Sequence, residues 1–334
     1  MDLIAETPSG LFCEAGGFHL DPALPVARAV VTHGHADHAR PGSERYLCTE
    51  GSLPILRRRL GPDAVIQTLP YGERLQISGV TVSFHPAGHV LGSAQARLER
   101  AGEVWVVSGD YKRQPDPTCA PFEPVRCHAF ATEATYALPI YRWDDPAAVA
   151  RDVLAWWDGN RQAGRAAVLF CTILGKAQRI LGELAKLTDR EVWLHGALEA
   201  MTDVYRQAGV AMLPTRLVRE TEKGASFAGQ LVIAPLMARG GPWGRRLGPR
   251  EEAFASGEMR VRGRRRRRSF DRGFALSDHA DWPGILRTIR ETGAQRIFAL
   301  HGHSETLARY LREQGLEAQP LKAGLGAEPH EEGD

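Results

Sequence analysis

Cysteine is scarce in this sequence, and what there is does not fall into pairs. The five residues (Cys13, Cys48, Cys119, Cys127 and Cys171) are odd in number and show no C-x-x-C spacing. That argues against a disulfide framework and fits a reducing cytosol. Long apolar runs are lacking too: none approaches the roughly eighteen residues of a membrane-spanning helix. The N-terminus has neither the basic segment nor the long apolar core of a signal peptide. These gaps predict a soluble, cytoplasmic protein with no membrane partner. Net charge is nearly absent, at +2, and by itself identifies no partner. A phosphate-cradling P-loop is also missing, because Gly-x4-Gly-Lys-Ser/Thr does not occur and Ala177 follows Gly175-Lys176. What remains is an ordinary globular composition, 43% hydrophobic and 25% charged, on 334 residues, a length that suits two domains.

Against that background one stretch is dense in chemistry. Val30-Val31-Thr32-His33-Gly34-His35-Ala36-Asp37-His38 brings a β-branched run to a turn carrying three imidazoles and a carboxylate. Imidazole nitrogen and carboxylate oxygen are the donors that borderline ions such as Zn²⁺ prefer. Gly34 and Ala36 are small enough for the backbone to fold tightly. The His-x-His alternation puts His33 and His35 on one side of an extended segment. Asp37 and His38 follow as the chain turns, where they can serve a neighbouring ion. Upstream, Asp21 either opens a turn before Pro22 or lies behind the metal turn and accepts a hydrogen bond from a ligand histidine.

Further candidates follow predicted strands. Val80 to His85 alternates as a strand and leads to His89 among glycines, where a ligand can reach inward from a loop; His85, on the strand, reads as a packing histidine. Val104 to Ser108 is a buried-type strand ending at Gly109-Asp110. A carboxylate there is a helix cap or a ligand; with three histidine sites converging, Asp110 reads as a ligand that bridges two cations. The strand His128 to Glu133 ends in another acid. From about Leu138 the sequence becomes a strand–helix alternation that implies a parallel sheet with its own core, an inserted domain over 138–272. Within it, Lys176 and Arg179 open a helix where backbone N–H groups favour an anion, so they are either nucleic-acid phosphate contacts or solvated cations. The run Arg264-Arg265-Arg266-Arg267-Arg268 precedes Ser277-Asp278-His279. Several guanidiniums near a hydrolytic site suit a polyanion, so all five are expected to contact nucleic acid. A last buried-type strand, Arg296 to Leu300, ends at His301. The final residues, 323–334, read as a loose tail.

The string His33-x-His35-x-Asp37-His38, then His89, then Asp110, resembles the motif series of the metallo-β-lactamase fold. Glu133, His279 and His301, separated by an α/β insertion, resemble the three additional motifs of the β-CASP nucleases. Thr132-Glu133-Ala134-Thr135-Tyr136, Gly175-Lys176-Ala177-Gln178-Arg179, Arg264 to Arg268 and Asp271-Arg272-Gly273-Phe274-x-Leu276-Ser277-Asp278-His279-Ala280-Asp281-Trp282 resemble the bacterial ligase-associated DNA-repair exonucleases. The resemblance implies an αββα metallo-β-lactamase sandwich formed by 1–137 plus 273–322, with an α/β β-CASP domain inserted over 138–272. It implies two divalent ions, Zn²⁺ with Mn²⁺ as the alternative. His33, His35 and His89 would hold one; Asp37, His38 and His301 the other; Asp110 would bridge, with Asp21 behind the ligands. Glu133 would orient His279, and His279 would face the scissile phosphate.

The implied activity is a two-metal phosphodiesterase acting on DNA, single-stranded or at strand ends, as a repair exonuclease. A DNA ligase and a helicase of the same pathway are the implied partners. Hydroxide formed between the cations would attack phosphorus, and His279, paired with Glu133, would protonate the departing sugar oxygen. Histidine at the last motif, His301, resembles the RNA-processing branch instead, so an RNA exo- or endonuclease is the alternative. A thioester or lactam hydrolase explains the metal turn but neither the insertion nor the arginines. A silent nucleic-acid-binding subunit would be expected to have lost ligands, and here each expected ligand is present.

Overall fold

The structure is a computed structural model that describes residues 2–222, 224–263 and 269–321. The expected nucleic-acid contacts Arg264, Arg265, Arg266, Arg267 and Arg268 lie outside the described residues, as does the expected loose tail from residue 323. The described chain falls into two compact units: residues 2–141 with 279–321, and residues 142–278, which come between them in sequence.

The first unit opens with β1 (Ala5–Thr7), β2 (Gly10–Cys13), β3 (Phe18–Leu20), β4 (Ala29–Val30), β5 (Tyr46–Thr49), α1 (Leu53–Leu60) and β6 (Ile66–Leu69). The six strands make one sheet in sequence order. It is antiparallel through β3 and parallel from β3 onward. There follow β7 (Leu75–Ile77), β8 (Val80–Pro86), β9 (Ala94–Arg100), β10 (Glu103–Val107) and β11 (Ala129–Glu133). Period-2 alternation drives β8: Val80, Val82 and Phe84 point to one face and join the core.

The second unit comprises α2 (Pro146–Gln162), β12 (Ala166–Cys171), α3 (Lys176–Leu184), β13 (Val192–Leu194), α4 (Glu199–Gln207), β14 (Thr215–Leu217), β15 (Leu231–Pro235), β16 (Arg250–Ala255) and β17 (Arg272–Phe274). Its six strands run in the order β14-β13-β15-β12-β16-β17, every neighbour pair parallel. The unbroken apolar run of β12 follows from burial on both faces. Ala167, Leu169 and Cys171 pack with Val153, Trp157 and Leu181 of the helices, while Val168 and Phe170 pack with Val232 and Phe254 on the other face. Asp145 caps α2 by accepting the Ala147 N–H at 3.3 Å, with Pro146 in the first turn. The expected return at residue 273 is corrected by β17, which pairs with β16 from Arg272 to Phe274 and so belongs to the inserted sheet.

The chain returns through α5 (Trp282–Thr292), β18 (Arg296–Leu300), α6 (Ser304–Glu313) and β19 (Glu317–Pro320). β18 and β19 complete a seven-stranded sheet, β19-β18-β11-β10-β9-β8-β7. The two sheets of this unit share one core, in which Leu11, Phe18 and Leu20 meet Phe84, Leu98 and Trp105. Leu56 of α1 covers Val31 and Tyr46 on the outside of the first sheet. Ile285, Ile289, Leu307 and Leu311 of α5 and α6 cover Val106, Phe130 and Ile297 on the outside of the second. The unit is therefore layered helix, sheet, sheet, helices. In the second sheet β10, β11 and β18 are adjacent and parallel, so the residues at or just past their carboxyl ends lie side by side. These are Asp110, Glu133 and His301. Among the described residues no helix is long and apolar enough to cross a membrane.

Candidate metal centre

The turn after β4 is stapled from behind by Asp21. Its Oδ1 accepts the Thr32 N–H at 2.7 Å, and its Oδ2 accepts the Thr32 hydroxyl at 2.5 Å and lies 2.8 Å from His38 Nδ1. That nitrogen is thereby committed, which leaves His38 Nε2 to face the centre. Gly34 is required where it stands, because a Cβ would fall 2.4 Å from the Ile55 side chain. Arg59 Nε donates to the Gly34 carbonyl and holds the same turn.

Four donors converge from three separate elements. His35 Nδ1 lies 3.1 Å from His33 Nε2 and 2.9 Å from His89 Nε2. Asp110 Oδ2 lies 3.5 Å from His33 Nε2 and 3.8 Å from His89 Nε2. These atoms are all within 4.8 Å of one another. Ring nitrogens that meet in this way cannot each act as donor, and a shared cation satisfies all of their lone pairs at once. A tetrahedral Zn²⁺ with bonds of about 2.0–2.1 Å spaces its donors about 3.3 Å apart, close to what is found, so the donor set fits a metal.

The same Asp110 oxygen lies 3.4 Å from His38 Nε2, and Asp37 Oδ2 lies 3.6 Å from that nitrogen. The His301 ring stands 5.8 Å from the His38 ring, centroid to centroid. This side is looser: the tight groups of converging donors include His33, His38 and Asp21, yet neither Asp37 nor His301. His301 has φ 60°, a left-handed conformation that non-glycine residues seldom adopt. On the remaining side, His279 Nδ1 lies 2.8 Å from Glu133 Oε2 and 3.9 Å from Asp110 Oδ2. Glu133 Oε1 accepts the Tyr111 N–H at 2.8 Å, and the Tyr111 carbonyl accepts the Ala280 N–H at 2.6 Å. Thus one short segment after β10 ties the acid and the histidine together.

Charge follows the geometry. Burial works against ionisation of Asp110, but His38, His279 and His33 outweigh it and hold the carboxyl well below its usual range. Burial also works against a charged His38, yet Asp110, Asp37 and Asp21 raise it well above the ordinary imidazole value. His33 is lowered well below that value by burial and then by His38 and His89. The metal-free centre therefore favours the charged form of His38 and the neutral form of His33.

The other expected residues are placed differently. Lys176 and Arg179, in the first turn of α3, are 1% and 0% exposed. Arg179 Nη1 donates to the Ser277 carbonyl at 2.6 Å and approaches Asp278 Oδ1 at 3.5 Å, and Lys176 Nζ lies 4.0 Å from Asp278 Oδ2. These cations meet a carboxylate of their own unit, in the role expected for a phosphate. His85 lies 3.4 Å from Glu123 and outside the metal cluster. Sequence reasoning passed over Thr32, Tyr111 and Lys112, which reach Asp21, Glu133 and the His89 carbonyl, each eleven or more positions away in the chain. A signal for Lys112 exists in the composition. Only five lysines (Lys112, Lys176, Lys186, Lys223 and Lys322) occur among 42 lysines and arginines, and Lys112 is fully buried.

Fold and site together define a mixed α/β protein whose buried histidines and carboxylates are arranged as a candidate metal centre. No protein-family model matches the chain. It is 33% identical over 328 residues to a probable DNA ligase of Opitutus terrae, which covers 96% of this chain and 32% of that protein. It is 32% identical over 101 residues to cleavage and polyadenylation specificity factor 73 of Drosophila melanogaster, covering 30% of this chain and 14% of that one. A stretch of 78 residues is 32% identical to cleavage and polyadenylation specificity factor subunit 3 of Dictyostelium discoideum, covering 23% and 10%. The chain thus spans a third or less of the length of these relatives. It shares its fold, with a TM-score of 0.59 and 12% identity over 90% of this chain and 80% of the other, with a protein of unknown function from Enterococcus faecalis V583.

Proposed function

We propose that this chain is a two-metal phosphodiesterase of the β-CASP type on a metallo-β-lactamase fold, acting on DNA as a repair exonuclease. The observation that carries the reading is the position of Asp110: its Oδ2 lies within 3.5 Å of His33 on one side and of His38 on the other, with the Glu133–His279 pair alongside. Divalent ions, Zn²⁺ or Mn²⁺, would supply charge to neutralise phosphoryl oxygens and to acidify water. His33, His35 and His89 would hold one ion and Asp37, His38 and His301 the other, with Asp110 placed to serve both. Glu133 accepts a hydrogen bond from His279 Nδ1–H, which fixes the ring. It is the imidazolium form of His279, with a second proton on Nε2, that would protonate the departing sugar oxygen and be left as the neutral ring.

Similarity along nearly the whole chain to a protein named as a probable DNA ligase favours DNA. A second reading, RNA processing, is favoured by His301 and by the partial similarity to the two cleavage and polyadenylation factors. Matched DNA and RNA strands, labelled at either end and incubated with stripped protein resupplied with Zn²⁺ or Mn²⁺, separate the two. Mononucleotides released from DNA are the expected result. Cleavage of RNA alone would overturn the DNA reading, and cleavage of neither by metal-loaded protein would overturn the nuclease reading.

A further inference from the structure

His89 lies on the turn between β8 and β9, where no strand ladder fixes it. Both of its backbone polar groups are nevertheless held by side chains. Its N–H donates to Ser93 Oγ at 3.1 Å, and its carbonyl accepts from Lys112 Nζ at 3.3 Å. The Lys112 ammonium also pairs with Asp116, whose side chain is buried and whose Oδ1 accepts the Thr118 N–H at 2.8 Å and the Thr118 hydroxyl at 2.6 Å. The Lys112 N–H in turn donates to the Ala87 carbonyl at 3.1 Å. Gly88, at φ 75°, lets the turn lie so close that a Cβ there would fall 2.6 Å from the Lys112 carbonyl. The segment that begins with Asp110 therefore grips the turn that carries His89.

Burying an ammonium and a carboxylate together is costly, and a well-packed apolar pair of the same volume would serve stability as well or better. What the charge adds is direction. In a sequence that otherwise prefers arginine, a compact ammonium is kept where three short donors must reach a carbonyl and a carboxylate at once. We infer that Lys112 is a positioning residue for the metal ligand His89, fixing the distance between His89 and Asp110 before a metal arrives. This rests on the metal-centre reading above and adds a residue to it.

The test is Co²⁺ titration of the metal-stripped full chain, followed by visible absorption and paired with thermal melting of the metal-free protein. Asp116→Asn relaxes the ion pair but leaves the Lys112 bond to His89. Asp116→Asn with Lys112→Met removes the donor without stranding a buried charge. The double variant is expected to melt near Asp116→Asn yet bind the first Co²⁺ about 10- to 100-fold more weakly, as supporting contacts around metal ligands do. Asp116→Asn with Lys112→Gln, which restores an N–H donor, is expected to recover most of that loss. Equal affinity in Asp116→Asn and the Met double variant overturns the inference, as does failure of Gln to recover any affinity if the Met variant proves unstable. Absence of Co²⁺ binding by the wild type overturns the metal-centre reading itself, and Lys112 with it.

Discussion

Glu133 Oε2 and His279 Nδ1 lie 2.8 Å apart although 146 positions separate them in the chain, and both side chains are buried. A carboxylate so placed fixes the tautomer and the plane of the imidazole, the arrangement expected of a group that moves a proton. His279→Ala should therefore keep its metal while turnover falls about 10²- to 10⁴-fold. Metal analysis beside single-turnover rates checks this, and wild-type rates in the variant would remove His279 from the mechanism.

Asp110 acts differently, because its oxygen is shared between the two halves of the centre. Asp110→Ala should lose metal and activity together. Stripping the wild type with a chelator should abolish activity reversibly, with Zn²⁺ or Mn²⁺ restoring it. Full metal content in the variant would show that Asp110 is not a ligand.

The raised pKa of His38 makes metal binding depend on pH. A histidine raised in the fold gives the metal-free protein stability that is complete below the ordinary imidazole value and lost as pH rises through the raised one. A cation must displace the proton of a charged His38, so apparent affinity should climb with pH until the raised pKa is passed. Asp110, held down, adds stability above the usual carboxylate range that is lost only as pH falls through its lowered pKa. Titration calorimetry at neutral pH in buffers of different ionisation heat should show protons released on binding. Zero release would contradict a protonated His38.

Neutral residues at Arg264, Arg265, Arg266, Arg267 and Arg268 should weaken DNA binding and flatten its salt dependence. The slope of log K against log salt should shrink by about 0.7–0.9 for each phosphate no longer neutralised. An unchanged slope would make the run a solvated loop.

How much of this could be read from the sequence differs residue by residue. His33, His35, His89 and Asp110 were legible as a group because ligand chemistry requires partners, and each sits where a predicted strand ends. The boundary at residue 273 was not, since a three-residue strand such as Arg272–Phe274 carries too little pattern to say which sheet it joins. Lys176 and Arg179 were read from the N-terminus of their own helix, which gives no hint of Asp278, a carboxylate distant in sequence. Lys112 is hidden in part: Asp116 stands four positions on, but its other partner is the carbonyl of His89, and a backbone oxygen leaves no trace in residue identity.

Anomalous scattering from crystals of the zinc-loaded protein tests the central claim most directly. The account predicts two peaks flanking the Asp110 carboxylate, one among His33, His35 and His89 and the other beside Asp37, His38 and His301. A single peak remote from Asp110, or none in protein that has been shown to be folded, would contradict it.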